Sequence, residues 1–304
     1  MDNLVYDTQN IEEKEPQIEK LVNYECNDCH CNFSLLSENH DKCVYCGSNN
    51  IITTNNYNLD FSRIIPFTLD IENAKNEYKK HVLFNPLIPI KFKKKSTINK
   101  IQKVYFMTYL FNVNYRGNIT FLGADKEKVI VDKKKLVETK KYNMLSEVNF
   151  DYSNVLINPN EKITMPEFTK VFQYDYNKTE ELREFDIKDT VIINSTLSND
   201  EILEKAKERI SKSSLSIIRN NINHQLNKVE DNQTNVNFES AQKILLPIYF
   251  INTRYRNKNY HFLYNGVNKN TYYKFPAGII ETIIFALIVF GIVLLIGYLI
   301  ASAL

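Results

Sequence analysis

Two matched cysteine pairs, Cys26–Cys29 and Cys43–Cys46, constrain the fold of this chain more than any other feature. A Cys-x-x-Cys turn points two sulfurs at one ion, and a second such turn completes a four-sulfur shell. Zinc takes thiolates in that tetrahedral arrangement, so the spacing reads as a zinc ribbon with one structural Zn2+ on Cys26, Cys29, Cys43 and Cys46. Gly47 follows the last ligand, where the chain must turn back and glycine permits positive φ. The segment between the pairs is long enough for a hairpin, and Ile51-Ile52-Thr53-Thr54 reads as a return strand. Two other ligand sets compete. Cys31 makes a tighter Cys29-x-Cys31 pair, and His30 and His40 lie in the same stretch. The wider spacing favours the four-cysteine set, with Cys31 packed as a small apolar residue or left as a thiol and His30 exposed where ribbons often place glycine. A disulfide framework would need an oxidising compartment, and the start Met1-Asp2-Asn3 lacks the basic and apolar regions of a secretory signal.

The other strong signal is the apolar run Thr282–Leu304, which carries no charge and is dense in Ile, Leu, Val and Phe. About 20 such residues span a bilayer core. Tyr272, Tyr273 and Phe275 precede it with Lys274, as suits an interfacial belt. Lysine and arginine are abundant before the run and absent from it, which predicts a tail-anchored, single-pass protein of the cytoplasmic membrane with its N-terminal part in the cytosol. The predicted organisation is an N-terminal segment (1–23), the ribbon (24–58), a cytosolic domain (59–276) and a transmembrane helix (277–304).

For the middle the sequence predicts an α+β fold with a central antiparallel sheet. Thr68 or Asp70 can cap a short amphipathic helix through Ala74 and Tyr78. After Pro86 and Pro89 comes the basic run Lys91–Lys95, a solvated loop or edge strand on one reading and a contact for anionic lipid on another. Tyr109–Arg116 and Tyr249–Arg256 share an apolar strand that ends in Tyr-Arg, so each is expected to open a β-hairpin. The turns are placed at Gly117-Asn118 and Asn257-Lys258-Asn259. Between them Asn199–Leu226 reads as a long helix capped by Ser198 or Asn199, with Ile202, Ala206, Ile210 and Ile218 on one face. Residues 227–237 read as a polar loop, and 128–137 and 168–176 as strands.

These pieces in this order carry a resemblance. Tyr24-Glu25-Cys26 through Cys46-Gly47 are followed by Ile65-Pro66-Phe67, Lys103-Val104-Tyr105, Leu245-Leu246-Pro247-Ile248-Tyr249, Tyr260-His261-Phe262, Asn265-Gly266 and the terminal apolar helix. Together they resemble the TFIIB-type zinc-ribbon membrane proteins of Gram-positive bacteria, whose ribbon is of the primosomal-helicase-like kind. The resemblance implies a membrane adaptor whose partners are cytosolic or membrane-associated proteins of the phage-shock or flotillin-like (SPFH) type.

Composition and motifs narrow the classes. With 38 Lys+Arg against 36 Asp+Glu the net charge is only +2, which does not suit a strongly basic nucleic-acid binder. Seven glycines form no phosphate-binding loop, and there is no Gly-x-Ser-x-Gly or His-Glu-x-x-His. The histidines His30, His40, His81, His224 and His261 form no catalytic motif, so no enzyme activity is expected. A membrane-tethered nucleic-acid-binding ribbon is the alternative to the adaptor. Glu25, Asp28, Glu38 and Asp41 around the cysteines oppose phosphate and make nucleic acid an unfavoured partner.

Overall fold

The structure, a computed structural model, describes residues 21–36, 40–54, 63–131, 134–222 and 226–303. In chain order the strands are β1 (Val22–Cys26), β2 (Asn32–Leu35), β3 (Ile51–Thr54), β4 (Arg63–Ile64), β5 (Gln102–Val131), β6 (Lys134–Ile157), β7 (Glu180–Glu181), β8 (Val191–Ile193), β9 (Leu226–Tyr255), β10 (Lys258–Asn265) and β11 (Thr271–Tyr273). The helices are α1 (Ile71–Leu83), α2 (Ile90–Lys93), α3 (Lys95–Ile98), α4 (Met165–Val171), α5 (Glu184–Ile187), α6 (Asn199–Asn220) and α7 (Ile279–Ala303).

One sheet takes in all eleven of these strands, in the order β11-β10-β9-β5-β8-β2-β1-β3, with β6 on β5, β4 on β9 and β7 on β4. The expected α+β class holds, but the sheet is mixed: β8 runs parallel to β5, and β4 parallel to β9. β5 serves two neighbours on one edge. Its start pairs with β8 through Val104–Phe106, and from Tyr109 onward the same edge pairs with β6. β9 lines its other edge from Gln102 to Ala124. The ribbon joins this sheet through β2, where Phe33 faces Ile193 and Ser34 faces Ile192 of β8.

β5, β6 and β9 are far longer than the sequence suggests, and here two expectations fail. No turn forms at Gly117-Asn118; β5 continues through both residues, and the chain reverses between Val131 and Lys134. Gly117 serves a close approach instead. Its φ is +143°, and a Cβ there would strike the Gln233 carbonyl oxygen and come within 2.6 Å of Thr234 Cα on β9. Residues 227–237, expected as a loop, lie within β9 and pair with β5 from Asn114 to Gly123. Backbone pairing with a long neighbour holds a polar sequence in a strand that composition alone does not demand. The second hairpin forms as expected, with its turn one residue early. Arg256 (φ 49°) and Asn257 (φ 59°) join Tyr255 to Lys258, as in a type I′ turn.

α6 covers one face of this long sheet. Ile202, Ala206, Ile210, Ser214 and Ile218 are buried at every fourth residue. Each step of four advances about 40° beyond a full turn, so the stripe winds as a twisted sheet requires. Ser214 is kept in the stripe by the Tyr152 hydroxyl at 2.7 Å. The cap is Ser198, whose hydroxyl accepts from Glu201 N while Glu201 accepts from Ser198 N at 2.8 Å. The helix stops at Asn220, short of the expected Leu226. On the same side of the sheet, α1, α2 and α3 pack Ala74, Tyr78, Val82 and Phe92 against Tyr249, Ile251, Phe262 and Tyr264. Asp70 caps α1, accepting from Glu72 N at 2.9 Å. The basic run, expected as loop or edge strand, forms α2 and α3. Residues 168–176 are also not a strand: α4 starts at Met165, and Glu167 accepts from the Thr164 N–H at 2.6 Å.

α7 stands apart. Ile279–Ser302 is a 24-residue stretch long and apolar enough to cross a membrane, and none of it is buried against the rest of the protein. Its first turn includes Glu281, one residue before the uncharged run begins.

Candidate metal centre

The ribbon builds its centre from two loops that leave the sheet. After β1 the chain turns at Asn27–His30; His30 N–H donates to Cys26 O at 2.7 Å and Cys26 N–H to Cys31 O at 3.1 Å. His30 is exposed and has φ 53°, the left-handed conformation that explains why glycine is common at this step. In the second loop Gly47, at φ 76°, donates to Cys43 O at 2.8 Å, the turn-back that the sequence assigned to it. Asp28 ties the loops together, accepting from the Ser48 hydroxyl and from Asn50 Nδ2 at 2.9 Å. These bonds hold its carboxyl below the ordinary value although it is solvent-exposed.

All four predicted ligands meet. The sulfurs of Cys26, Cys29, Cys43 and Cys46 lie within 4.8 Å of one another and could hold one metal ion. Cys26 and Cys46 are 3.6 Å apart, as are Cys29 and Cys43, far beyond the roughly 2.05 Å of a disulfide. Cys43 is held as an acidic thiol. Thiol hydrogen bonds from Cys29 and Cys31 push it far below the usual range, and the backbone N–H groups of Tyr45 and Cys46 add to this at 3.4 and 3.5 Å. Cys46 is pushed up to about 11, chiefly by burial. Cys31 lies outside the four-sulfur cluster, fully buried, and its bond to Cys43 together with burial holds it as a protonated thiol. Of the acidic residues near the cysteines, Glu38 lies outside the described residues.

The second loop is locked onto the sheet by a set of residues that the sequence did not single out. Tyr45 lies between Cys43 and Cys46, and its ring stacks on Phe250 of β9 at 5.7 Å and 19°. Its hydroxyl meets His261 Nε2 at 2.7 Å, and His261 Nδ1 meets Glu167 Oε1 at 3.0 Å. Tyr45, His261 and Glu167 are all buried. Burial alone would raise the Glu167 carboxyl, but His261 and the Thr164 N–H outweigh it and hold the group below its ordinary value. An ionised Glu167 can only accept, so His261 Nδ1 carries the hydrogen between them, and the Tyr45 hydroxyl beside Nε2 also donates to the Lys162 carbonyl at 3.3 Å. Asn252 Nδ2 and Gln102 Nε2 add bonds to the Tyr45 and Val44 carbonyls, each at 2.9 Å. The metal loop, β10 and α4 thus share one buried polar chain. The signal for Glu167 was present as Thr164-x-x-Glu167 before an apolar run. His261 entered the sequence reading only within Tyr260-His261-Phe262, and nothing there pointed to its partners, which are 94 and 216 residues away.

No protein-family profile matches the chain, and no solved structure matches it. Among curated proteins it is similar to the uncharacterized protein YdjG of Bacillus subtilis (strain 168), at 22% identity over 210 residues. That match covers 67% of this chain and 60% of the relative, so the chain spans less than two thirds of that protein's length.

Proposed function

We propose that this protein is a non-catalytic membrane adaptor: a zinc-stabilised sheet held at the cytoplasmic face of the membrane by α7, offering its strands to cytosolic or membrane-associated proteins. The observation that carries this reading is the edge of β6. Among the described residues β6 pairs only with β5, so its outer edge is open along most of 24 residues on a body that α7 would fix near a bilayer. An unpaired strand edge offers main-chain donors and acceptors to a partner strand.

Zinc fits the four sulfurs. A Zn–S bond of about 2.3 Å gives tetrahedral S–S edges of about 3.8 Å, close to the 3.6 Å between the paired sulfurs. Four thiolates leave no position for water or substrate, so the ion is structural. It would fix the loop that Tyr45 plugs into the sheet. Orientation is supported by the lysine-rich body that precedes α7 and by thiols suited to a reducing compartment. The ionised Asp28 at the tip of the first loop disfavours nucleic-acid phosphate there.

The test is purification of the full chain from detergent-solubilised membranes, with metal analysis and mass spectrometry of co-purifying proteins. One zinc per chain is expected, with a reproducible protein partner whose binding is weakened when proline is placed on the β6 edge, as in Ser146→Pro. Salt-sensitive nucleic acid in place of a protein partner would favour the tethered ribbon instead.

A further inference from the structure

The start of α7 is pinned to a neighbouring surface with a composition of its own. Only five residues, Lys274 to Gly278, separate β11 from α7. They are held along their length: Phe275 packs edge-on against Tyr78 at 5.5 Å and Phe92 at 5.8 Å, and Gly278 N–H donates to Leu87 O at 2.8 Å. In the first turn of α7, Glu281 accepts from the Ile90 N–H at 3.1 Å. The loop from α1 to α2 therefore lies level with the point where α7 leaves the body.

That loop exposes apolar side chains. Phe84 is 85% exposed, Ile90 64% and Leu83 49%, and Ile279 and Ile280 at the start of α7 are exposed as well. Among the described residues outside α7, aromatic rings exposed on this scale are rare, and Phe84, at the end of α1, stacks on none of the described rings. Residues 83–100 also hold Lys91, Lys93, Lys94, Lys95 and Lys100 and no acidic residue. Lys91 and Lys93 donate to the Arg254 and Asn85 carbonyls, whereas Lys94, Lys95 and Lys100 are exposed and make no ion pair among the described residues.

We propose that this surface is a lipid-docking collar. Phe84, Ile90 and Leu83 enter the boundary between headgroups and acyl chains, and Lys94, Lys95 and Lys100 meet anionic headgroups. The occupant is an anionic phospholipid surface because the patch combines apolar side chains with cations, the pairing that such an interface selects, and adjoins the only membrane-ready helix among the described residues. The collar and the pinned connection together fix the body's orientation on the bilayer. This rests on α7 spanning the membrane.

The chain has no tryptophan, so a single introduced one reports alone. Full-length Phe84→Trp, Leu145→Trp and Phe290→Trp proteins are reconstituted into vesicles of phosphatidylcholine with or without phosphatidylglycerol, and quenching by brominated phospholipid is measured. Leu145 is 72% exposed on the long sheet and Phe290 lies within α7. Quenching and a blue shift are expected for Phe84→Trp and for Phe290→Trp, and neither for Leu145→Trp. Quenching of Phe84→Trp should be stronger with phosphatidylglycerol. Adding Lys94→Gln, Lys95→Gln and Lys100→Gln, or 1 M salt where the screening length is about 3 Å, should reduce it to the phosphatidylcholine level. If Phe290→Trp is quenched but Phe84→Trp behaves like Leu145→Trp, the collar is refuted and the anchor stands. If Phe290→Trp is itself unquenched, the membrane reading fails and the collar with it.

Discussion

Replacing Tyr45 by Phe isolates the contact that seats the metal loop on the sheet. The ring keeps its stack on Phe250, and Cys43 and Cys46 keep their positions. Only the hydroxyl goes, and with it the 2.7 Å contact to His261 Nε2 and the 3.3 Å bond donated to the Lys162 carbonyl. Both residues are buried, so little water can replace that partner. A buried polar group left without its partner costs about 1–3 kcal/mol. That cost falls on the docked state of the loop and raises its local opening by about 5- to 150-fold. Zinc leaves most readily from the open loop. The rate of zinc transfer from the full-length protein to a chromogenic chelator should therefore rise by that factor, while zinc stoichiometry stays at one per chain. Tyr45→Ala also removes the buried ring and should lose about 3–5 kcal/mol. A Tyr45→Phe protein that releases zinc as slowly as the parent would refute the claim that this contact holds the loop. A protein with no zinc would show that the contact maintains the metal shell itself.

Cys43→Ser should abolish stoichiometric zinc binding and Cys31→Ala should keep one zinc per chain, as read by elemental analysis; loss of zinc on Cys31→Ala would mean that the ligand set is wrong. Gly117→Ala should destabilise the long sheet by about 1–3 kcal/mol from the φ of +143° alone, with more from the contact with β9, seen as faster amide exchange in 114–121 and 231–237; unchanged exchange would contradict the close approach. Because the folded Glu167 carboxyl is held below 4.5, its ionised form stabilises the fold above that value and the contribution is lost as pH falls through the lower folded value. The stability difference between the parent and Glu167→Gln, measured by denaturant titration with zinc in excess, should thus be constant from pH 7 to 5 and close at lower pH; a difference that widens there would reverse the sign.

The meeting of the four cysteines was legible because its information is local: two x-x spacings and a glycine define the loops before any tertiary contact exists. The caps of α1 and α6 and the turn after Tyr255 were legible for the same reason. The long strands were not. Asn227–Asn237 carries no apolar alternation, and β5 holds it by backbone pairing that a single segment cannot announce. Gly117-Asn118 looks like a turn because glycine's second use, admitting a neighbouring backbone, leaves the same letter. The Tyr45–His261–Glu167 chain joins residues from three distant parts of the sequence, and only the fold brings them together.

The adaptor account is tested most directly by removing α7. The full chain and a variant ending at Gly278 are expressed in otherwise identical cells, and membrane and soluble fractions are compared by quantitative mass spectrometry. The account predicts that the shortened protein moves to the soluble fraction with its zinc, and that at least one protein bound by the full chain leaves the membrane with it. If every bound protein stays on the membrane when the shortened protein does not, the chain does not recruit it there, and the central claim is contradicted.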